Sequence, residues 1–171
     1  MKKSKRSDVD PFIVMDVMEA ARIAEENGKH IIHMEVGQPG TPAPKIARDF
    51  ITNEIDKNNL GYTVSLGLPD LRKKISNLYG DWYNIEVNPK RVVVTTGSSG
   101  AFILSFSALF DSGDRVGIGS PSYPSYRQIL KSLSLETVDI QTKIENRFQP
   151  TPDDIKSNNL NGILVASPAN P

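Results

Sequence analysis

A short turn of small residues at positions 96–100 (TGSSG) has the residue types that bind phosphate groups. A β-branched run at residues 92–94 precedes it, and apolar residues recur at helical spacing from Ala101 onward. The pattern predicts a doubly buried strand, a turn and a helix. At a helix N-terminus the backbone N–H groups lack intrahelical partners, and the macrodipole favours an anion. The serine hydroxyls add donors, so the chemistry predicted for this turn is phosphate binding.

The same turn also has a purely structural interpretation. No lysine follows Gly100, as it would in a Walker A loop, and the three-glycine dinucleotide fingerprint is missing. Glycine and serine are common in tight turns and at helix N-caps for conformational reasons alone. On these residues both interpretations remain open.

Composition limits the classes of function. The 171 residues are 38% hydrophobic and 23% charged, which is ordinary for one soluble globular domain. The net charge of zero argues against a general affinity for nucleic acid or membrane. The absence of cysteine excludes disulfides and thiolate metal sites, and two histidines disfavour a protein-only zinc site. No apolar run predicts a signal peptide or a membrane span, and a cytoplasmic location is compatible with this composition.

The elements that would position the turn alternate between helix and strand. Helices are predicted at residues 12–26 (with Asp10 as N-cap and Pro11 as first residue), 45–57, about 69–82, 101–110, 123–134 and 151–157. Strands are predicted at residues 31–36, 92–94, 115–119, 136–141 and 162–166. This alternation implies right-handed crossovers and a largely parallel sheet. The fold class predicted is therefore α/β.

Polar turns follow three of the predicted strands, at residues 95–98, 119–123 and 167–171, and the last two contain proline. Ligands of open α/β sheets gather beyond the carboxyl ends of the strands, so these turns mark the edge where a site is expected. Two further loops stand outside the regular elements. One, at residues 37–44, contains three prolines and two glycines, and the other carries Tyr62. A loop tyrosine that packs on its own neighbours is the simplest interpretation of Tyr62.

Five motifs occur in order along the chain: VGQPGTPAP (36–44), GYTVSLGLPDLR (61–72), VVVTTGSSGAF (92–102), DSGDRVGIGSPSYPSY (111–126) and SPANP (167–171). Together they make the chain resemble the N-terminal part of a pyridoxal-phosphate-dependent aminotransferase of fold type I. The resemblance is to the class I/II group related to aspartate aminotransferase, and it extends from about Pro11 to the last residue.

The resemblance implies a three-layer α/β/α fold with a mostly parallel sheet. In that interpretation residues 1–44 form an arm, helix and strand of a small domain with a crossover loop. Residues 45–171 then form the first half of the large, cofactor-binding domain.

The resemblance also implies a role for each residue of a cofactor site. Gly97, Ser98 and Ser99 correspond to the positions that hold the phosphate of pyridoxal 5′-phosphate. Tyr123 corresponds to the aromatic residue that stacks on the pyridine ring, and Asn170 to the asparagine that donates to the phenolic oxygen.

Two more residues correspond to positions outside that cluster. Tyr62 matches a tyrosine that reaches the partner's phosphate across a homodimer interface. Gly37 matches a glycine whose backbone N–H lines the pocket for the substrate's α-carboxylate. No metal is implied.

The implied activity moves an amino group between an amino acid and a 2-oxo acid through a cofactor aldimine. The family's Schiff-base lysine lies beyond the asparagine-proline motif, so it is expected beyond Pro171, and the chain alone is expected to be inactive. Two alternatives remain open. One is a non-catalytic phosphate-ligand binding or dimerising module, and the other is a lyase, synthase or decarboxylase of the same fold type.

Overall fold

The computed structural model describes residues 2–57 and 61–170. It divides into two compact units, the first from the described parts of residues 1–20 and 96–171 and the second from residues 21–95. Within the second unit, residues 58–60 lie outside the described part of the chain. The domain boundary expected at residues 44 and 45 remains a prediction.

Six α-helices and three β-strands occur in the described residues. The helices are α1 Ile13–Glu26, α2 Lys45–Ile55, α3 Pro69–Tyr83, α4 Gly97–Leu109, α5 Pro124–Ser132 and α6 Pro152–Ser157. The strands are β1 Arg115–Ser120, β2 Glu136–Gln141 and β3 Gly162–Leu164. These bounds confirm most of the predicted elements, and β2 has the bounds that the sequence predicts.

The three strands form one parallel sheet in the order β2-β1-β3. Arg115 pairs with Glu136 at the start of β1 and β2, and Val116 pairs with Gly162 in β3. The fold is a three-layer α/β structure, as predicted. A parallel sheet requires crossover helices, and these lie on its faces and bury the central strand.

The core of the first unit lies between β1, α4 and α5. Three side chains there are completely or almost completely buried: Val116 and Ile118 of β1 and Leu130 of α5. Phe106 of α4 and Tyr126 of α5 join them. The core therefore fixes β1 relative to α4, whose N-terminal end carries the predicted phosphate turn, and to α5.

Two predicted strands are wrong. Residues 92–94 form no strand, and Val93 is 53% exposed rather than buried on both faces. Residues 31–36 also form no strand, and Met34 is 87% exposed. β-Branched residues favour extended backbone, as at Val92 (φ −92°, ψ 126°), but a ladder needs a neighbouring strand, and none of the described strands pairs with either segment.

Two predicted helix starts also need correction. α4 begins at Gly97 rather than at Ala101, so the predicted phosphate turn is the first turn of the helix itself. α1 begins at Ile13, and neither Asp10 nor Pro11 belongs to it. The backbone carbonyls of both residues instead accept hydrogen bonds from Gln128 in α5.

In the second unit, α3 is attached to the segment that leads toward α4. Arg72 donates two hydrogen bonds of 2.8 Å, from Nε to the Val92 carbonyl and from Nη2 to the Pro89 carbonyl. The Ser76 hydroxyl donates to the Val87 carbonyl. These side chains give residues 87–92 a defined path without a β-ladder.

No helix in the described part of the chain is both long enough and apolar enough to cross a lipid bilayer.

Candidate functional site

The N-terminus of α4 carries the residues expected to bind phosphate. Gly97 begins the helix with φ +75°, a left-handed conformation that glycine adopts without steric cost, and nothing lies within 4 Å of the position that an added Cβ would take. Ser98 and Ser99 follow and are exposed. Thr96 occupies the N-cap but makes no side-chain cap hydrogen bond, and the first turn contains no acidic residue.

The N-terminus of α6 is organised differently. Thr151 Oγ1 accepts from the Asp154 N–H at 3.3 Å, and the Thr151 N–H donates to Asp154 Oδ2 at 2.9 Å. Hydrogen bonding from Thr151 also lowers the pKa of Asp154. A capping box of this kind uses backbone donors internally. The N-cap side chain of α4, Thr96, makes no corresponding hydrogen bond.

Aromatic contacts connect α4 to the start of α5. Phe102 of α4 lies edge-on to Tyr126, with ring centroids 5.3 Å apart, and Tyr126 lies edge-on to Tyr123 at 5.5 Å. Ser98 and Ser99 precede Phe102 by one helical turn and therefore lie on the same side of α4. Through Phe102 and Tyr126, the face of α4 that carries the serines is connected to Tyr123.

A small pocket lies at the carboxyl ends of β1 and β3. Residues from the loops after both strands line it, among them Gly119, Pro121, Ser122, Ala166 and Asn170. Each of these loops contains a cis peptide bond, Ser120-Pro121 in one and Ser167-Pro168 in the other. This is the sheet edge at which the sequence predicts a site, and it brings Asn170 beside the loop that leads to Tyr123.

The loop that carries Asn170 is held by a side chain. Gln149 Nε2 donates to the Ala166 carbonyl at 2.8 Å. Asn170 itself is exposed at the rim of the pocket, where its amide is accessible. Pro171, the last residue of the SPANP motif, lies outside the described residues.

The remaining predicted site residues, Tyr62 and Gly37, belong to the second unit. Tyr62 lies outside the helices, as predicted, and its side chain is fully exposed. Gly37 is also exposed, in the loop before α2, and nothing lies within 4 Å of an added Cβ. Their predicted roles remain predictions.

The second unit also contains an ionic cluster near Gly37 in sequence. His33 Nδ1 lies 2.7 Å from Glu35 Oε1, and His33 Nε2 lies 3.0 Å from Glu25 Oε1. Hydrogen bonds to Glu35 and then Glu25 raise the pKa of His33 to about 9. The same bond to His33 lowers the pKa of Glu35. A histidine can donate from both nitrogens only when it is protonated, so this cluster favours the imidazolium.

Sequence reasoning missed two residues that contact Tyr123, and a third that binds the segment of one of them. Tyr126 is separated from Tyr123 by three positions, a helical spacing from which their contact was predictable. Phe12 lies edge-on to Tyr123, and Gln128 binds the segment that carries Phe12. These two contacts join residues more than a hundred positions apart, and no local pattern signals them.

No group of three or more metal-ligating side chains among the described residues is arranged to hold a metal ion.

Comparison with known proteins identifies the family. A family model described as "Aminotransferase class I and II" matches residues 29–171. The chain belongs to the class I and II aminotransferase family. A curated member, valine–pyruvate aminotransferase from Mycobacterium tuberculosis, is 45% identical over 97% of the chain and 43% of its own length. Membership of this aminotransferase family implies pyridoxal phosphate as the general cofactor.

Solved structures agree with this assignment. An aminotransferase from Mycobacterium tuberculosis is 43% identical, with a TM-score of 0.93, and the match covers 100% of this chain and 45% of that one. A protein structure from Silicibacter pomeroyi is 58% identical, with a TM-score of 0.87, over 100% of this chain and 44% of that one. This aminotransferase-family chain therefore spans less than half the length of the relatives it matches.

Proposed function

We propose that this chain supplies the phosphate and ring contacts of the cofactor site in a pyridoxal-phosphate-dependent aminotransferase. The observation that carries the proposal is the start of α4. Ser98 and Ser99 are exposed there, Thr96 makes no side-chain cap, and the first turn holds no carboxylate. Family membership gives independent support.

The donor set at this helix end fits a phosphate dianion. Ser98 and Ser99 each offer a hydroxyl and a backbone N–H in the first helical turn, and the macrodipole adds favourable charge. Hydrogen bonds to a charged group are about twice as strong as neutral ones. Gly97 supports this arrangement because its positive φ lets the backbone enter the helix without a side chain near the anion.

Tyr123 and Asn170 would contact the remainder of the cofactor. An aromatic ring at Tyr123 can pack on the pyridine ring, and the Asn170 amide can donate to the phenolic oxygen and favour its anionic form. When bound, pyridoxal phosphate supplies an electron-withdrawing ring that labilises bonds at the substrate's α-carbon. The chain's own residues bind and orient that ring.

The proposed substrates are an amino acid and a 2-oxo acid. Gly37 would offer its backbone N–H to the substrate's α-carboxylate. Valine and pyruvate are the first pair to assay, because the Mycobacterium tuberculosis relative is named for them.

The complete enzyme would be a cytoplasmic homodimer. The exposed Tyr62 supports the homodimer, since a fully exposed loop tyrosine is able to reach a second subunit. None of the chain's lysines lies in a segment like the family's cofactor-lysine motif, so the 171 residues alone would not transaminate.

A chimera tests the proposed function. In it, this chain replaces the matching N-terminal segment of the Mycobacterium tuberculosis valine–pyruvate aminotransferase. We expect the purified chimera to bind pyridoxal phosphate and to transfer the amino group of valine to pyruvate, whereas the chain alone transfers none.

Two other results would separate the alternatives. A chimera that binds the cofactor and converts amino acids without transfer to any 2-oxo acid would indicate lyase, synthase or decarboxylase chemistry. A folded, monodisperse chimera that binds no cofactor would contradict the proposal and favour a non-catalytic module.

A further inference from the structure

The Phe12 ring contacts the residue proposed to stack on the cofactor. It lies edge-on to the Tyr123 ring, with centroids 5.9 Å apart and planes at 88°. Both side chains are half-buried. Edge-to-face packing at this separation is a favourable arrangement for two aromatic rings.

The segment that carries Phe12 is attached to α5. Gln128 Nε2 donates to the carbonyl oxygens of Asp10 at 3.1 Å and of Pro11 at 3.3 Å. Lys131 Nζ lies 3.7 Å from Asp10 Oδ2, an exposed ion pair that adds little. Because Tyr123 is the N-cap residue of α5, the same helix holds both partners of the ring contact.

Tyr126 supports the Tyr123 ring from within the core. Their rings are 5.5 Å apart at 79°, and Tyr126 is only 7% exposed. Tyr126 in turn contacts Phe102 of α4. Tyr123 is therefore packed between a ring fixed in the core and the Phe12 ring, which arrives from the N-terminal segment.

We propose that Phe12 is a positioning residue that holds the Tyr123 ring in the orientation required to pack on the cofactor's pyridine ring. The inference rests on the proposed function. Fixing a half-buried ring before the ligand arrives reduces the side-chain entropy lost on binding, and so increases affinity. Phe12 acts through Tyr123 and needs no contact with the cofactor.

The test uses the full chain and four variants. Phe12→Leu removes the ring, Phe12→Tyr retains it, and Ile13→Ala is the control at a neighbouring residue that is 67% exposed. Tyr123→Phe identifies the Tyr123 resonances. The first measurement is the ring-proton chemical shifts of Tyr123 without cofactor, and the second is the dissociation constant for pyridoxal phosphate by equilibrium dialysis.

We expect Phe12→Leu to move the Tyr123 ring resonances and to raise the dissociation constant about two- to tenfold, the effect of one aromatic pair. Phe12→Tyr should restore both values, and Ile13→Ala should change neither.

Two results would overturn the inference: Tyr123 resonances that do not respond to Phe12→Leu, or a dissociation constant that Phe12→Leu leaves equal to that of the parent. If the parent binds no cofactor while Phe12→Leu still moves the Tyr123 resonances, the proposed function fails, and the control of Tyr123 by Phe12 is supported.

Discussion

The Val94 side chain fills the space into which a side chain on Gly67 would project. A Cβ atom at residue 67 would lie 2.6 Å from Val94 Cγ2 and 2.7 Å from Val94 Cβ. The Val94 N–H also donates to the Leu66 carbonyl at 3.0 Å. The loop before α3 therefore contacts the extended segment at residues 92–94 through both backbone and side chain.

We expect Gly67→Ala to destabilise the chain for two separable reasons. Gly67 has φ +97°, which L-residues adopt at a cost of about 1–2 kcal/mol, and the added methyl group meets Val94. Gly28→Ala is the matched control, because Gly28 has φ +79° and nothing within 4 Å of an added Cβ. Urea unfolding should show a loss larger by about 1–3 kcal/mol for Gly67→Ala. Equal losses would show that the Val94 contact is unimportant.

The ionic cluster of His33 predicts a pH dependence of stability. The pKa of His33 is about 9 in the folded chain and near 6.5 when unfolded, so its contribution is complete below pH 6.5 and lost as the pH rises through 9. The contribution of Glu35 to stability depends on pH in the opposite direction. Because the pKa of Glu35 is lowered in the folded chain, its contribution is lost as the pH falls through that pKa. Between pH 6 and pH 10 the stability difference between the parent and His33→Gln should shrink. A stability difference between the parent and His33→Gln that stays constant over this pH range would show that the His33 cluster does not contribute to folding stability.

The sequence was informative where the pattern is local. Six helices, the parallel strands β1 to β3 and the sheet edge with the pocket follow from apolar spacing, capping residues and turn chemistry. Thr151-Pro152 at the start of α6 is an example, because a capping threonine and a proline at the first position specify a helix start.

The errors have non-local causes. The valines at residues 92–94 have the composition of a buried strand, but a strand also depends on a neighbour that composition does not reveal. Asp10 and Pro11 lie before the helix rather than at its start, and their carbonyls accept hydrogen bonds from Gln128, in a distant part of the chain. The Phe12 contact with Tyr123 is of the same kind.

Ser99→Ala should weaken cofactor binding without affecting the fold. The hydroxyl of Ser99 is exposed in the first turn of α4, and losing one charge-assisted hydrogen bond to phosphate costs about 1–3 kcal/mol. Ser105→Ala, at an exposed serine further along the same helix, is the control and should leave the dissociation constant unchanged. Isothermal titration with pyridoxal phosphate measures both. The proposed role of Ser99 is wrong if the two variants bind equally well.

Tyr62→Phe should weaken cofactor binding in the chimera while leaving the subunits paired. In the proposed dimer, the change would remove one hydroxyl donor to the partner's phosphate, and the dissociation constant should rise about tenfold or more. Tyr83→Phe is the control, at a tyrosine that is 61% exposed. Sedimentation velocity and cofactor titration test the two statements together. A monomeric chimera with full activity would exclude a shared site.

The most direct test of the cofactor site is the ³¹P resonance of pyridoxal phosphate titrated with the chain, its Ser98→Leu variant and a Ser105→Leu control. We expect a saturable shift with the parent and the control, none with Ser98→Leu, and much weaker binding of pyridoxal, which lacks the phosphate. Borohydride reduction should leave no lysine stoichiometrically labelled. A Ser98→Leu variant that binds as tightly as the parent, or a parent that binds pyridoxal and its phosphate equally, would contradict the assignment of the α4 N-terminus as the phosphate site.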